Sequence, residues 1–258
     1  MTTFPGTARV GDFMGSKVSV DIRTALPARE LAPVLDHAFR WLRWVEDTFD
    51  PDNEDSQIVR LNRGQTLRQV PELIEVLHRC GEMSEATDGW FDARRSGRVD
   101  PSGYIKGWAL ERLSRALTQA GAIDHLIVAG GDIRARGSLS PGEPWRIAVR
   151  DPRTGAVRRV LFAHDLAVAT SGRAKIVNPR TDEPQQAMSS VTVLGPDLGV
   201  ADAYATAMYA MGPVLARQFA VSLAAEGAYQ SLIVARDGQE FGTPGLAAHC
   251  GAGALLAG

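Results

Sequence analysis

Asp202 and Thr206 stand four residues apart in a run of good helix formers, Ala201 to Met211, so their side chains share one helical face. A carboxylate and a hydroxyl oxygen side by side at a first helical turn are suitable ligands for a hard cation. Mg2+ takes one or two protein oxygens and leaves its other positions to phosphates and water. The same spacing also describes a carboxylate complementing the helix dipole and a threonine bonding back to its own helix. Lys106 falls where a loop is predicted to enter a helix, with Asp100 six residues before it. A helix N-terminus offers free N–H groups and a positive dipole end to phosphates, and a lysine there adds charge. A lysine in solvent would leave the same trace. In Thr170 to Thr181, hydroxyls and the basic side chains of Arg173, Lys175 and Arg180 follow an apolar strand, which suits either an anion site or a charged surface loop. Gly130-Gly131-Asp132 follows a short apolar strand and lacks the GxGxxG spacing, so it reads as a tight turn between strands. Met14-Gly15 places a soft thioether beside a glycine, a pairing that can cover a flat ring.

The elements that must position these groups follow from periodicity. Lys17 to Ile22 alternates as a half-buried strand, and Leu31 to Thr48 has the spacing of a long amphipathic helix. Ser56 can begin a short helix through Leu61, and a second long helix is predicted over Leu73 to Ala86, with Pro71 near its start and Thr87-Asp88-Gly89 ending it. The Arg- and Gly-rich stretch from Trp90 to Tyr104 reads as irregular. Lys106 to Ala120 reads as a third helix, with Gly121 as its C-terminal cap. Strands are predicted at His125 to Ala129, Trp145 to Arg150, Val157 to His164, Leu166 to Thr170, Ser190 to Leu194 and Ser231 to Ala235. The helix carrying Asp202 is stopped by Gly212-Pro213, and Gln218 to Ala225 lies in the last helix. Hairpins as well as helix-linked strands are present, without a linker, a low-complexity segment or a repeat. That argues for an α+β fold in one domain over residues 1–258.

Composition narrows the function classes. The chain has 258 residues, 22% charged and 45% hydrophobic, ordinary for a globular protein with an ample core. A formal net charge of -2 gives no general attraction to nucleic acid or to membrane surfaces, so partners must be reached through a local site. The two cysteines, Cys80 and Cys250, form neither a disulfide framework nor a metal spacing. No window approaches the roughly 18 to 20 apolar residues of a membrane span, and the N-terminal residues lack the pattern of a signal peptide. A cytoplasmic location is expected.

Taken in order, the motifs resemble the FAD:protein FMN transferases, the ApbE family. The matching residues are Met14-Gly15, Asp55 to Asn62, Thr87 to Asp92, Asp100 through Lys106-Gly107, Gly130 to Ile133 with Gly137, Ser171-Gly172, Ile176 to Thr181, and Ala201 to Ala207. The resemblance implies a single ApbE-like, T-fold-related domain with mixed or antiparallel sheets packed by helices. It also implies a Mg2+-dependent enzyme that cleaves FAD and attaches the FMN half by a phosphoester to a Thr or Ser of a target protein. By resemblance, Asp202 and Thr206 hold the metal through side-chain oxygens and Gly103 through its carbonyl. Asp100 and Lys106 bind FAD with Trp90, Phe91 and Asp92 beside it, Met14 and Ile176 line the flavin pocket, and Lys175 and Asp202 are the catalytic positions. The chain departs from the family pattern where a histidine is replaced by Lys175, an aspartate by Asn178 and a glycine by Asp182, and it shortens the connections Asp92 to Asp100 and Gly172 to Lys175. A lysine, with an ordinary pKa of about 10.4 against about 6.5 for histidine, stabilises phosphate charge rather than accepting a proton unless desolvation or nearby cations depress its pKa. Two other activities are compatible with these residues: an FAD pyrophosphatase giving FMN and AMP, and a flavin-binding protein without turnover.

Overall fold

The two residues Met14-Gly15 join β1 (Gly6–Phe13) to β2 (Ser16–Arg23), with φ of 45° and 69°. Two successive positive φ values give a turn whose twist matches a right-handed strand pair, and Gly15 adopts its half without strain. The computed structural model describes residues 6–65, 70–95, 97–172 and 176–251. α1 (Ala28–Phe49) follows and buries the expected stripe of Leu31, Leu35, Ala38, Leu42 and Val45. Ser56 caps α2 (Gln57–Asn62) by accepting the N–H of Val59 at 3.1 Å. α3 (Pro71–Ala86) begins on its proline, where the missing N–H removes no helical bond. The two-residue strands β3 (Arg94–Arg95) and β4 (Arg98–Val99) then lead to α4 (Ser102–Gln119). Gly121, at φ 86°, closes α4 as expected: its N–H reaches the Thr118 carbonyl at 3.0 Å and that of Ala122 reaches Leu117 at 2.9 Å.

β5 (His125–Ala129) and β6 (Asp132–Arg136) meet at the Gly130-Gly131 turn, and β7 (Trp145–Arg150) and β8 (Val157–Ala163) form a separate hairpin. After β9 (Leu166–Ser171) and β10 (Met188–Gly195) come α5 (Leu198–Ala225), β11 (Gln230–Ala235) and β12 (Glu240–Gly242), then a closing 3-10 turn over Pro244–His249. The main sheet has eight strands in the order β1-β2-β5-β6-β9-β10-β11-β12, and every neighbouring pair is antiparallel. Period-2 alternation separates its faces. Ile127, Ala129, Ala167, Ala169, Val191, Val193 and Ile233 pack under α1, α4 and α5, whereas Leu166, Val168, Leu194, Leu232 and Val234 pack against the β7–β8 hairpin. This is the expected α+β architecture.

The structure corrects two helix starts, and both corrections move site residues. α4 begins at Ser102, so the stretch read as irregular is too long by three residues, and Lys106 is the fifth helical residue rather than the entry. α5 begins at Leu198, where the Asp197 side chain accepts the Val200 N–H at 3.1 Å, so Asp202 lies in the second turn and Asp197 has the N-terminal role. In each case a glycine taken to lie in the preceding loop, Gly103 or Gly199, is inside the helix. A Cβ on Gly103 would stand 3.1 Å from Thr206 Cγ2, and one on Gly199 would stand 3.0 Å from the Tyr104 ring. The glycines are there for close packing. Gly212 behaves as expected: at φ 75° and ψ 172° it breaks α5 before Pro213, and Gln185 Nε2 donates to the nearby Ala210 carbonyl at 3.1 Å. β1 and β6 were not anticipated from the sequence.

His125 is fully buried between α4 and β5, with Nε2 2.7 Å from Ser114 Oγ and Nδ1 2.7 Å from the Ala122 carbonyl. Burial lowers its pKa from 6.5 to about 4. The unfolded chain therefore binds the proton first as pH falls, and stability present above pH 6.5 is lost between 6.5 and about 4. At about 1.4 kcal/mol per unit the loss should be roughly 3 kcal/mol. Urea titrations of wild type and His125→Gln across this window should show the variant missing that slope.

Candidate functional site

α4 and α5 run antiparallel, and the site is built where they touch. Three pairs mark the seam at four-residue steps: Gly103 against Thr206, Gly107 against Asp202, and Glu111 against Leu198. A Cβ on Gly107 would stand 2.5 Å from the Leu198 carbonyl oxygen, a backbone atom that cannot swing away. This closeness lets the Gly107 N–H reach Asp202 Oδ2 at 3.3 Å. It also sets Thr206 Oγ1 3.2 Å from where a Gly103 Cβ would be. Ser171, at the end of β9, has its Oγ 3.3 Å from Thr206 Oγ1.

The sheet adds charge. Asp132, at the start of β6, is 1% exposed and its Oδ2 lies 2.6 Å from Lys106 Nζ, while its Oδ1 accepts the Thr170 N–H at 3.4 Å. The lysine thus presents its charge from the second turn of α4, directed by an aspartate on the sheet. Asp202 is 7% exposed, and its carboxyl is held well above the ordinary value of 3.8. Burial is the main cause and the charge of Asp132 adds to it, while Lys106 and the Gly107 N–H act in the opposite direction. Two buried carboxyl groups share one ammonium here, an arrangement that a further cation would complete.

The other predicted residues fall into two sets. Phe91 is buried, and its ring edge approaches Gly103 to within 3.2 Å of the position a Cβ would take. It is held there because Thr87 Oγ1 accepts the Phe91 N–H at 2.9 Å after the chain reverses through Asp88 and Gly89, both at positive φ. Trp90 is half-buried under the guanidinium of Arg180, whose carbon lies 4.9 Å from the ring centroid. Arg180 also pairs with Asp88 at 2.9 Å, and Arg95 with Asp182 at 3.2 Å, so the segments 87–95 and 176–185 are fastened together. Ile176 is half-buried against the helix-side core, and Asn178 Oδ1 accepts the Arg180 N–H at 2.9 Å. The departure at Asn178 therefore supplies a turn. Met14 donates its N–H to Glu46 at 2.9 Å at the sheet end that also carries Gly130-Gly131 and Ser171.

Asp92 and Asp100 are exposed, and their carboxylates accept the N–H groups of Arg94 and Ser102 at 2.7 and 3.0 Å. Each shapes a local turn. Lys175 lies outside the described residues. Sequence reasoning passed over Glu111, read Asp132 as part of a turn, and placed Ser171 in a stretch that suits an anion site or a surface loop. The available signal was Glu111 itself, a carboxylate on the face that otherwise carries Gly103 and Gly107. Among the described residues, no three or more His, Cys, Asp and Glu side chains converge as a metal set. A cation here would need a mixed set of carboxylate, hydroxyl and carbonyl. The residues suit one in kind: Thr206 Oγ1 lies close to Gly103, and a cation would offset the burial that disfavours the charged form of Asp202.

A model of the ApbE family matches residues 14–95 and 93–229. The FAD:protein FMN transferase of Rhodobacter capsulatus is 33% identical over 204 residues, covering 71% of this chain and 38% of that one. The protein of the same name in Haemophilus influenzae is 32% identical over 130 residues, 44% of this chain and 38% of that one. This chain thus spans only 38% of the length of either curated relative. Among solved structures, the ApbE protein of Thermotoga maritima superposes with a TM-score of 0.85 at 20% identity, covering 95% of this chain and 99% of the other. The flavinyl transferase ApbE of Pseudomonas stutzeri, apo form, gives 0.82 at 20% identity, covering 98% and 99%. At these identities the structural likeness is one of fold.

The charge arrangement makes a prediction that needs no ligand. Lys106→Met removes the ammonium beside the buried Asp132 and Asp202 and should cost roughly 3 kcal/mol. Adding Asp132→Asn keeps the acceptor for Thr170, removes the charge and should restore most of the loss. A urea double-mutant cycle reads the coupling, which should exceed about 1 kcal/mol for groups in contact.

Proposed function

The chain belongs to the ApbE family, and from that premise we propose that it is a Mg2+-dependent FAD:protein FMN transferase acting on a threonine or serine of an acceptor protein. The observation that carries the proposal is the α4–α5 seam, where Gly103 faces Thr206 and, one turn on, Gly107 faces Asp202, beside the Lys106–Asp132 pair. In this reading the Asp202 carboxylate, the Thr206 hydroxyl and the Gly103 carbonyl hold Mg2+. The bound ion supplies charge neutralisation at the phosphoryl oxygens. Lys106 supplies positive charge to the same oxygens, and Asp132 orients its ammonium. Ser171 positions the Thr206 hydroxyl. Phe91, Trp90, Met14 and Ile176 provide the apolar surfaces for the flavin. The acceptor Oγ–P bond forms at the phosphorus of the FMN half, the pyrophosphate P–O bond breaks, AMP leaves and the hydroxyl proton passes to a base. Lys175 serves as an electrostatic clamp on phosphate.

Mass spectrometry of the protein with FAD, Mg2+ and candidate acceptors tests this. Transfer gives an acceptor heavier by one FMN moiety. Free FMN and AMP would instead mean hydrolysis, and unchanged FAD would mean binding alone.

Asp202→Asn separates stability from function. With no cation bound, the stability that a protonated Asp202 retains at low pH is lost as pH rises through its raised pKa. The neutral amide avoids that loss. The variant should therefore be at least as stable as wild type near neutral pH, while Mg2+-dependent turnover falls about a hundredfold or more. Urea unfolding and initial rates against Mg2+ concentration measure the two effects. Wild-type Mg2+ dependence in the variant would remove Asp202 from the metal site.

A further inference from the structure

Glu111 is buried in the same seam, 3% exposed, and it is engaged from three elements. Its Oε2 accepts the N–H of Leu198, the first residue of α5, at 3.1 Å and lies 2.9 Å from Arg134 Nε. Its Oε1 lies 3.3 Å from Arg136 Nη2 and 3.8 Å from Arg115 Nε. Arg134 and Arg136 belong to β6, the strand whose first residue, Asp132, directs Lys106. Arg134 is itself 1% exposed, and burial lowers its pKa, so the pair is a desolvated one.

Asp197 caps the Val200 N–H and Glu111 takes the further free N–H of Leu198, but capping does not call for the pairing of Glu111 with Arg134 and Arg136. What Glu111 adds is a tie from the end of α5 to the sheet. It forms the last rung of the seam, four residues beyond Gly107, and Leu198 lies four residues before Asp202. A slide of α5 by one residue along α4 amounts to about 1.5 Å. That exceeds the roughly 0.5 Å within which a binding constellation must be held. Of the three α4 positions in the seam only Glu111 carries a side chain that can bond across it, and the half-exposed Arg115–Asp197 pair at 3.0 Å adds a second polar tie at this end.

We propose that Glu111 is a positioning residue that fixes the height of α5 against α4 and so sets Thr206 opposite Gly103 and Asp202 opposite Gly107. This rests on the reading of Gly103, Asp202 and Thr206 as a cation site. Glu111 touches neither metal nor substrate, and it acts through the backbone of Leu198.

The test uses the full chain with Glu111→Gln, and with Glu111→Leu combined with Arg134→Leu, which replaces the buried ion pair by apolar side chains and keeps the fold accessible. Three quantities are read: urea stability, amide hydrogen exchange over Leu198 to Thr206, and affinity for Mg2+ alone by calorimetry. The double variant should recover stability yet exchange Asp202 to Thr206 about tenfold faster than wild type. Its Mg2+ affinity should stay about tenfold weaker. If exchange protection and Mg2+ affinity return with stability, Glu111 is only a fold-stabilising group and the proposal is overturned. Absence of Mg2+ binding by the wild type would overturn the underlying cation reading instead.

Discussion

The structure depends on the approach of two helix backbones. Gly103 and Gly107 on α4 and Gly199 on α5 have no Cβ because the facing helix occupies that space, down to 2.5 Å at Gly107. At Gly107 a larger residue would push the helices apart by moving backbone, whereas at Gly103 it would displace the side chains of Thr206 and Phe91. The distance so fixed brings the Gly107 N–H to Asp202 and Thr206 to Gly103, and it buries the carboxylates that give the site its charge.

Burial then determines the chemistry. In water Asp132 and Asp202 would be ordinary carboxylates. In the seam, desolvation and the charge of Asp132 disfavour the charged form of Asp202, while Lys106 compensates the fully buried Asp132. A site arranged in this way is least stable in the charge state that would bind a cation best. That is a common relation between stability and function. The outer wall is of a different kind. Arg180 with Asp88 and Trp90, and Arg95 with Asp182, join two surface segments through exposed ion pairs that salt screens and that contribute little net stability. The rigid part of the site is thus the helix seam, and the wall facing Trp90 is the part most open to adjustment.

Much of this was legible from residue types and spacing. Alternation placed the strands from His125 to Ala129 and Trp145 to Arg150 at their observed bounds. Helical spacing located the buried stripe of α1, and turn chemistry identified the Gly130-Gly131 connection and the Gly121 cap. The pairing of Asp202 with Thr206 on one face, and the order of motifs that marks the family, required only the sequence. Those signals are local, so they survive without knowledge of the fold.

The rest was decided by tertiary structure, because the same residues have more than one local meaning. Gly103 and Gly199 read as loop residues, yet each lies within a helix where a neighbour excludes a side chain, and this moved Lys106 and Asp202 into second turns. β6 escaped detection because its buried face is charged: Asp132 and Arg134 point to the helices, reversing the usual pattern of apolar residues inward. Their partners, Lys106 and Glu111, lie on another element, and no spacing rule links a strand residue to a helix residue distant in the chain. The sequence by itself determined which groups are capable of chemistry and the elements that carry most of them. Only the close packing of α4 on α5 and β6 decided which of those groups meet, because burial and charge pairing are properties of contacts between elements.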